Sequence, residues 1–144
     1  PVVTDLERPT PENPALLRLG THHIMPEHYL LEYTTESDLK RAVRRLLSEC
    51  EPEALVVTRG PRGAVGYAKG EILYQPAYPV QPVADTTGAG DVFHGAFAYG
   101  LTLGYDLPTN LEFSALVAAL KCRADPVLLA LEHVQRDSIG IVGL

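Results

Sequence analysis

Short apolar runs alternate along the chain with stretches whose apolar residues recur at helical spacing. Val2-Val3-Thr4-Asp5, a β-branched run ending in an acid, predicts a buried strand. Pro9, Pro11 and Pro14 mark a turn leading into a brief helix over residues 14 to 18, and residues 21 to 25 predict a second strand, ended by Pro26. Thr35 with Asp38 three residues later forms a capping-box-like start. Behind it Leu39, Ala42, Val43, Leu46 and Leu47 keep the i, i+3, i+4, i+7, i+8 spacing of one helix face, and Glu51-Pro52 stops that helix. Ala54-Leu55-Val56-Val57-Thr58 is a continuous apolar run, the pattern of a parallel strand covered on both faces. Residues 64 to 68 and 71 to 74, joined by Lys69-Gly70, predict a hairpin. Pro76, Pro79 and Pro82 make the next segment extended but a poor central strand. A glycine-containing helix is expected over residues 90 to 103. Another starts at Pro108, a favoured first helical position, and buries Leu111, Ala115, Leu116, Ala118 and Ala119.

This order of strands and helices predicts an α/β fold, a Rossmann-like three-layer sandwich with helices on both faces of the sheet. Ligands of such sheets bind beyond the carboxyl ends of the strands. Two loops qualify: Thr58-Arg59-Gly60-Pro61-Arg62-Gly63, and the run Asp85-Thr86-Thr87-Gly88-Ala89-Gly90-Asp91. The second places two glycines at the mouth of an apolar helix and a carboxylate in its first turn. A helix N-terminus carries unpaired amides and about half a positive charge, so it favours an anion. Gly88 and Gly90 let a bulky anion approach without a Cβ in the way. Asp91 can take a proton from a hydroxyl lying beside that anion. Amides for a phosphate and a base for a hydroxyl suit phosphoryl transfer to an alcohol. A dinucleotide fingerprint would require glycine at position 93, where Phe93 stands, and no Walker A loop occurs.

The chain has 144 residues, 46% hydrophobic and 21% charged, which predicts one soluble domain. A formal charge of −6 argues against nucleic acid or an anionic membrane as partner. Two cysteines, Cys50 and Cys122, suggest neither a disulfide framework nor a metal cluster and read as small buried fillers. With neither an apolar span nor a leader, the expected compartment is the cytoplasm. His22, His23 and His28 match no zinc spacing, so surface or strand-end positions are favoured over a metal site. Tyr67, Tyr74 and Tyr78 read as sheet packing ahead of base stacking. His94, one turn after Asp91, either orients Asp91, touches substrate or packs.

The run from Asp85 to Asp91, with Val92-Phe93-His94-Gly95-Ala96-Phe97 behind it, resembles the second signature of the ribokinase-like (PfkB) carbohydrate kinases. The resemblance covers about residues 1 to 123 and implies the C-terminal part of a ribokinase-like fold. It implies that Asp91 is the catalytic base and that the amides of Gly88, Ala89 and Gly90 form an anion hole. In the first loop, Thr58, Gly60 and Gly63 would contact ATP, with Arg59 and Arg62 near the phosphates. Ala115 and Ala118 would lie near the adenine. Asp85 and Thr87 would hold a monovalent cation such as potassium. The implied reaction moves the γ-phosphoryl group of ATP to the hydroxyl of a small sugar, with magnesium.

Three departures from the family pattern bear on this. Family members run to about twice this length, and their N-terminal half supplies most of the sugar pocket and a lid. The chain therefore reads as the nucleotide-binding half of a kinase, incomplete as it stands, with an open sheet edge that invites self-association. The alternative is a non-catalytic nucleotide-binding fragment acting through association. Many relatives also carry Asn-x-x-Glu to organise magnesium, where this chain has Glu27-His28-Tyr29-Leu30. Finally, residues 124 to 144 form a divergent tail, read as a further helix over 124 to 134, where the family continues into a glycine-rich loop.

Overall fold

The computed structural model describes residues 1–123. Five strands, β1 (Val3–Asp5), β2 (His22–Pro26), β3 (Ala54–Thr58), β4 (Ala64–Ala68) and β5 (Glu71–Gln75), form one sheet in chain order. β1, β2 and β3 run parallel, and β4 and β5 return antiparallel. Lys69 and Gly70 both take positive φ at the tip of the hairpin, as the two-residue turn requires.

Side chains of the central strands alternate between two layers. Met25, Leu55 and Val57 pack with Leu17 of α1 (Asn13–Leu19), Tyr29 and Leu30 of α2 (Glu27–Thr34) and Ala42, Val43 and Leu46 of α3 (Leu39–Glu49). Ile24 and Val56 point the other way. They meet Phe93 and Phe97 of α4 (Ala89–Thr102) and Leu111 and Ala115 of α5 (Leu107–Lys121). The three-layer α/β expectation holds. Among the described residues the outer edge of β1 has no partner strand, and Val2 and Leu19 beside it are 52% and 72% exposed. No described helix is long and apolar enough to cross a membrane.

The pattern-based expectations fail in three places. Helix α2 was not foreseen, because Pro26 reads as a terminator; it ends β2 and caps α2 at once. Thr35 is not a cap of α3 but the left-handed residue that ends α2. Asp38 alone caps α3, its carboxylate accepting from the Arg41 amide at 3.0 Å. Leu116 is 40% exposed, and Ala118 and Ala119 are half-buried, because that face of α5 borders a cleft and solvent instead of the sheet. The helix expected over 124 to 134 lies outside the described residues.

Of the surface or strand-end positions expected, His22 and His23 take the strand-end one, at the start of β2, and both are buried there. Their Nδ1 atoms lie 2.8 Å from the hydroxyls of Thr21 and Thr4, and burial pushes both imidazoles down toward the neutral form. His28 is exposed, and among the described residues the three histidines form no metal site.

Helices α4 and α5 are joined by a buried polar contact. Asn110 donates from Nδ2 to the Phe97 carbonyl at 3.0 Å, and its amide packs against the bare backbone of Gly100. Gly100→Ala drives a methyl into that amide and is expected to cost about 1–3 kcal/mol. Gly95, on the same helix, has open space around it. Gly95→Ala is expected to stabilise by roughly 0.5–1 kcal/mol. Urea midpoints of the two variants, moving in opposite directions, check the assignment.

Candidate functional site

The two loops marked by the sequence meet at one cleft of about 730 Å³. The carboxyl end of β3 contributes Thr58, and the short turn after it contributes Gly60, Pro61 and Gly63. Thr86, Ala89 and Gly90 come from the approach to α4 and its first turn, and Phe93 lies one turn further in. Ala115, Ala118 and Ala119 supply a flat wall from α5, where larger side chains would close the space. The opposite wall is the extended proline-rich segment, through Ala77, Tyr78, Pro79, Val80 and Val83.

Gly88 caps α4 in the left-handed conformation, at φ 72°. Among the described residues the amides of Gly88 and Gly90 donate to no backbone or side-chain acceptor. The Ala89 amide differs: it donates to the Thr86 carbonyl at 3.1 Å, so it is already engaged. On its other side the first turn of α4 borders an acidic group. Carboxylate oxygens of Asp5, Glu7 and Asp91 all lie within 4.8 Å of one another, and all three residues are exposed. Burial, reinforced by the charges of Glu7 and Asp91, pushes the Asp5 carboxyl up, and His94 opposes the shift.

His94 links these parts. Its Nδ1 lies 2.8 Å from the Gly90 carbonyl, and its Nε2 lies 3.1 Å from an Asp5 carboxylate oxygen and 3.3 Å from the Ile24 carbonyl. The ring thus ties the turn that carries Gly90 and Asp91 to the end of β1 and the middle of β2. Of the roles open to it, the structure supports orientation of that turn.

Arg59, Gly88, Asp85, Thr87 and Asp91 do not line the cleft. Arg59 turns away to Glu27, its Nε 3.2 Å from Oε1, and Arg62 pairs with the same carboxylate. Both guanidiniums, expected near phosphates from their place in the loop, face Glu27 here, and the Arg62 side chain is 63% exposed. Asp85 accepts the Thr87 amide at 2.8 Å, which holds its carboxyl below the usual carboxylate range. The Lys121 ammonium stands 3.5 Å from its other oxygen.

Sequence reasoning missed several lining groups. Tyr78 borders the cleft with its hydroxyl 2.9 Å from Glu112, whereas Tyr67 packs on the core and Tyr74 is 67% exposed. Phe93 and Cys122 also line it, while Cys50 is the buried filler expected. The proline spacing announced an extended wall but carried no chemical signal.

Residues 19–127 match the model of the pfkB family carbohydrate kinases. Ribokinase of Bacillus subtilis is 46% identical over 71 residues, which cover 48% of this chain and 23% of that protein. Fructokinase of Klebsiella pneumoniae is 34% identical over 102 residues, 69% of this chain and 33% of that protein. Among solved structures, Arabidopsis thaliana ribokinase complexed with ribose and ATP superposes with a TM-score of 0.75 at 27% identity. That match covers 85% of this chain and 41% of the other. A putative ribokinase II from E. coli, in complex with ATP and magnesium, gives 0.70 at 30% identity, covering 86% and 42%. The chain therefore spans well under half the length of these relatives.

The two glycines at the mouth of α4 are separable by experiment. Gly88→Ala forces a side chain into a left-handed position and is expected to cost about 1–2 kcal/mol of stability. A Cβ at Gly90 meets nothing within 4 Å. Gly90→Ala is expected to leave the urea midpoint unchanged or raised, while its methyl enters the space over the free amides and weakens anion binding. Denaturation and phosphate titration, run on both variants, check the pair.

Proposed function

The chain belongs to the pfkB family of carbohydrate kinases, and on that premise we propose that it is the nucleotide-binding part of an ATP-dependent sugar kinase. The observation that carries the reading is the convergence of the β3 loop and the α4 N-terminus on one cleft, with Asp91 just beyond its phosphate end. A planar base fits between the alanine wall of α5 and the Tyr78 side. The polyphosphate then runs toward the free amides of Gly88 and Gly90. Asp91 takes the proton of the acceptor hydroxyl as its oxygen bonds to the γ-phosphorus. The bond from that phosphorus to the bridging oxygen breaks, and ADP leaves. Amides aimed at the transferring group stabilise its charge without reorganisation, usually the largest contribution to such catalysis.

Asp5 and Glu7 offer hard carboxylate oxygens next to Asp91, the donor type magnesium takes. When bound there, magnesium neutralises phosphate charge. The Glu27–Leu30 stretch offers no ligand, since Glu27 is engaged by two arginines and Leu30 is buried. A monovalent cation at Asp85 and Thr87 would share the Asp85 carboxylate with Lys121, which stands 3.5 Å from one of its oxygens. Asp91 and the amides act on an acceptor already in place, and orientation of reactants contributes about 7–11 kcal/mol of barrier lowering. The chain spans under half the length of its relatives. In this reading the part that orients the sugar lies in further chain, so turnover belongs to a protein that includes it.

A second reading, a nucleotide-binding unit that acts by association, is favoured by the β1 edge, which has no partner strand among the described residues, and by the exposed Val2 next to it in sequence. Calorimetry is expected to show ADP and ATP binding to this chain and no NAD binding, with Asp91→Asn leaving ADP affinity unchanged. In a complete kinase carrying this segment, Asp91→Asn is expected to lower kcat by on the order of 10²–10⁴. NAD binding without ADP binding overturns the nucleotide reading, and near-normal turnover of the variant removes Asp91 from the chemistry. Sugar-dependent ADP release by this chain alone, as a monodisperse monomer by light scattering, overturns the claim that it is incomplete.

A further inference from the structure

We propose that Glu27 is a positioning residue for the loop that lines the cleft after β3, holding it in its ligand-ready shape through Arg59 and Arg62. The proposal rests on the nucleotide reading of that cleft.

Strand register creates the contact. Pro26 and Thr58 are the last aligned pair of β2 and β3, so the chain leaves the sheet on each side with Glu27 and Arg59 as neighbours. Glu27 opens α2, and its side chain is 15% exposed. Arg59 precedes the turn Gly60–Arg62, and Arg62 closes it. Both guanidiniums reach the one carboxylate, Arg59 through Nε at 3.2 Å and Arg62 through an Nη group. Guanidinium groups hold a carboxylate in defined geometry, which a point charge such as lysine does not.

The turn needs such an anchor. Glycine flanks or begins it at two positions with positive φ, Gly60 at 56° and Gly63 at 83°, where the backbone has wide freedom. Its far end is pinned, because Gly63 packs its bare Cα against the backbone of Gln75 and Ala77. Its near end has Glu27. Between the two anchors lie Gly60 and Pro61, the residues that present backbone to the cleft. With the carboxylate removed, the near end keeps only the backbone bonds that close the turn, chiefly the Arg59 amide to the Gly63 carbonyl at 2.8 Å. No side chain then ties that end to α2, and ligand binding must order the turn against the sheet. Such ordering weakens apparent affinity by the fraction of time the turn is out of place.

Two local measurements on the full 144-residue chain test this. ADP is titrated by calorimetry into wild type, Glu27→Gln, Arg62→Gln and the double variant, with Glu49→Gln as a remote charge control. Glu27→Gln and Arg62→Gln are expected to weaken ADP about three- to tenfold, the usual cost of ordering a side-chain-anchored segment on binding. The double variant is expected to lose no more than the worse single one, and Glu49→Gln to match wild type. Limited trypsin digestion reads the turn without any ligand. Cleavage after Arg59 is expected to be slow in wild type and faster in Glu27→Gln, with unchanged thermal midpoints showing that the fold persists. Saturating ADP is expected to restore protection.

Unchanged ADP affinity in Glu27→Gln overturns the proposal. Tighter binding overturns it too, since the freed arginines would then be phosphate ligands that Glu27 withholds. Wild-type protection equal to that of Glu27→Gln shows that there is no clamp. Absence of ADP binding by wild type overturns the nucleotide reading and the proposal's ligand with it, while the trypsin pattern still decides whether Glu27 fixes the turn.

Discussion

Burial of both faces of the β2–β3 pair is the constraint from which the rest follows. Ile24 and Val56 look toward α4 and α5, and Met25, Leu55 and Val57 look toward α1, α2 and α3. Each fully buried side chain of this size contributes about 1.5–3 kcal/mol, and a slip of one residue would turn every side chain into the opposite layer, whose packing it does not match. That fixed register brings the carboxyl ends of two strands out side by side. It places Thr58 at the mouth of the cleft and Glu27 beside Arg59. Chemistry is then carried by loops whose starting points the core does not allow to move.

The first turn of α4 stands between two environments. Toward the cleft it offers backbone amides, small residues and the apolar face of Phe93. Away from it, three carboxylates crowd within 4.8 Å, with the His94 ring tying Asp5 to the Gly90 carbonyl. In the proposed reaction, anion and acid would be separated by a single turn of backbone, which would keep like charges apart while leaving both within reach of the transferring group. The arrangement depends on β1, since Asp5 and Glu7 follow directly from it.

Much of this was legible in the sequence, because the residues concerned speak locally. The continuous apolar run of β3, the Lys69-Gly70 turn and the glycines before α4 each dictate backbone geometry over a few positions, and the elements form where expected. Helix α2 was hidden because Pro26 serves two elements at once. Leu116 broke the pattern because it faces solvent, while Ala118 and Ala119 border the cleft instead of the sheet. Pairings across long separations were invisible: Arg59 and Arg62 looked like phosphate ligands, and nothing near them in sequence names Glu27, 32 and 35 residues away. Lys121 beside Asp85, 36 residues apart, was hidden for the same reason.

The wall formed by Tyr78 gives the molecule an optical property. The chain has seven tyrosines and no tryptophan, so no indole is present to drain tyrosine emission by energy transfer. Tyr78 borders the cleft with its phenol hydrogen-bonded to Glu112 of α5, and that bond holds the phenol proton more firmly than usual. A base held in the cleft as proposed would stack near Tyr78, the one tyrosine that lines it, while Tyr29, fully buried in the opposite layer, gives a steady background. Under that proposal the cleft has its own spectroscopic reporter, in place without a label.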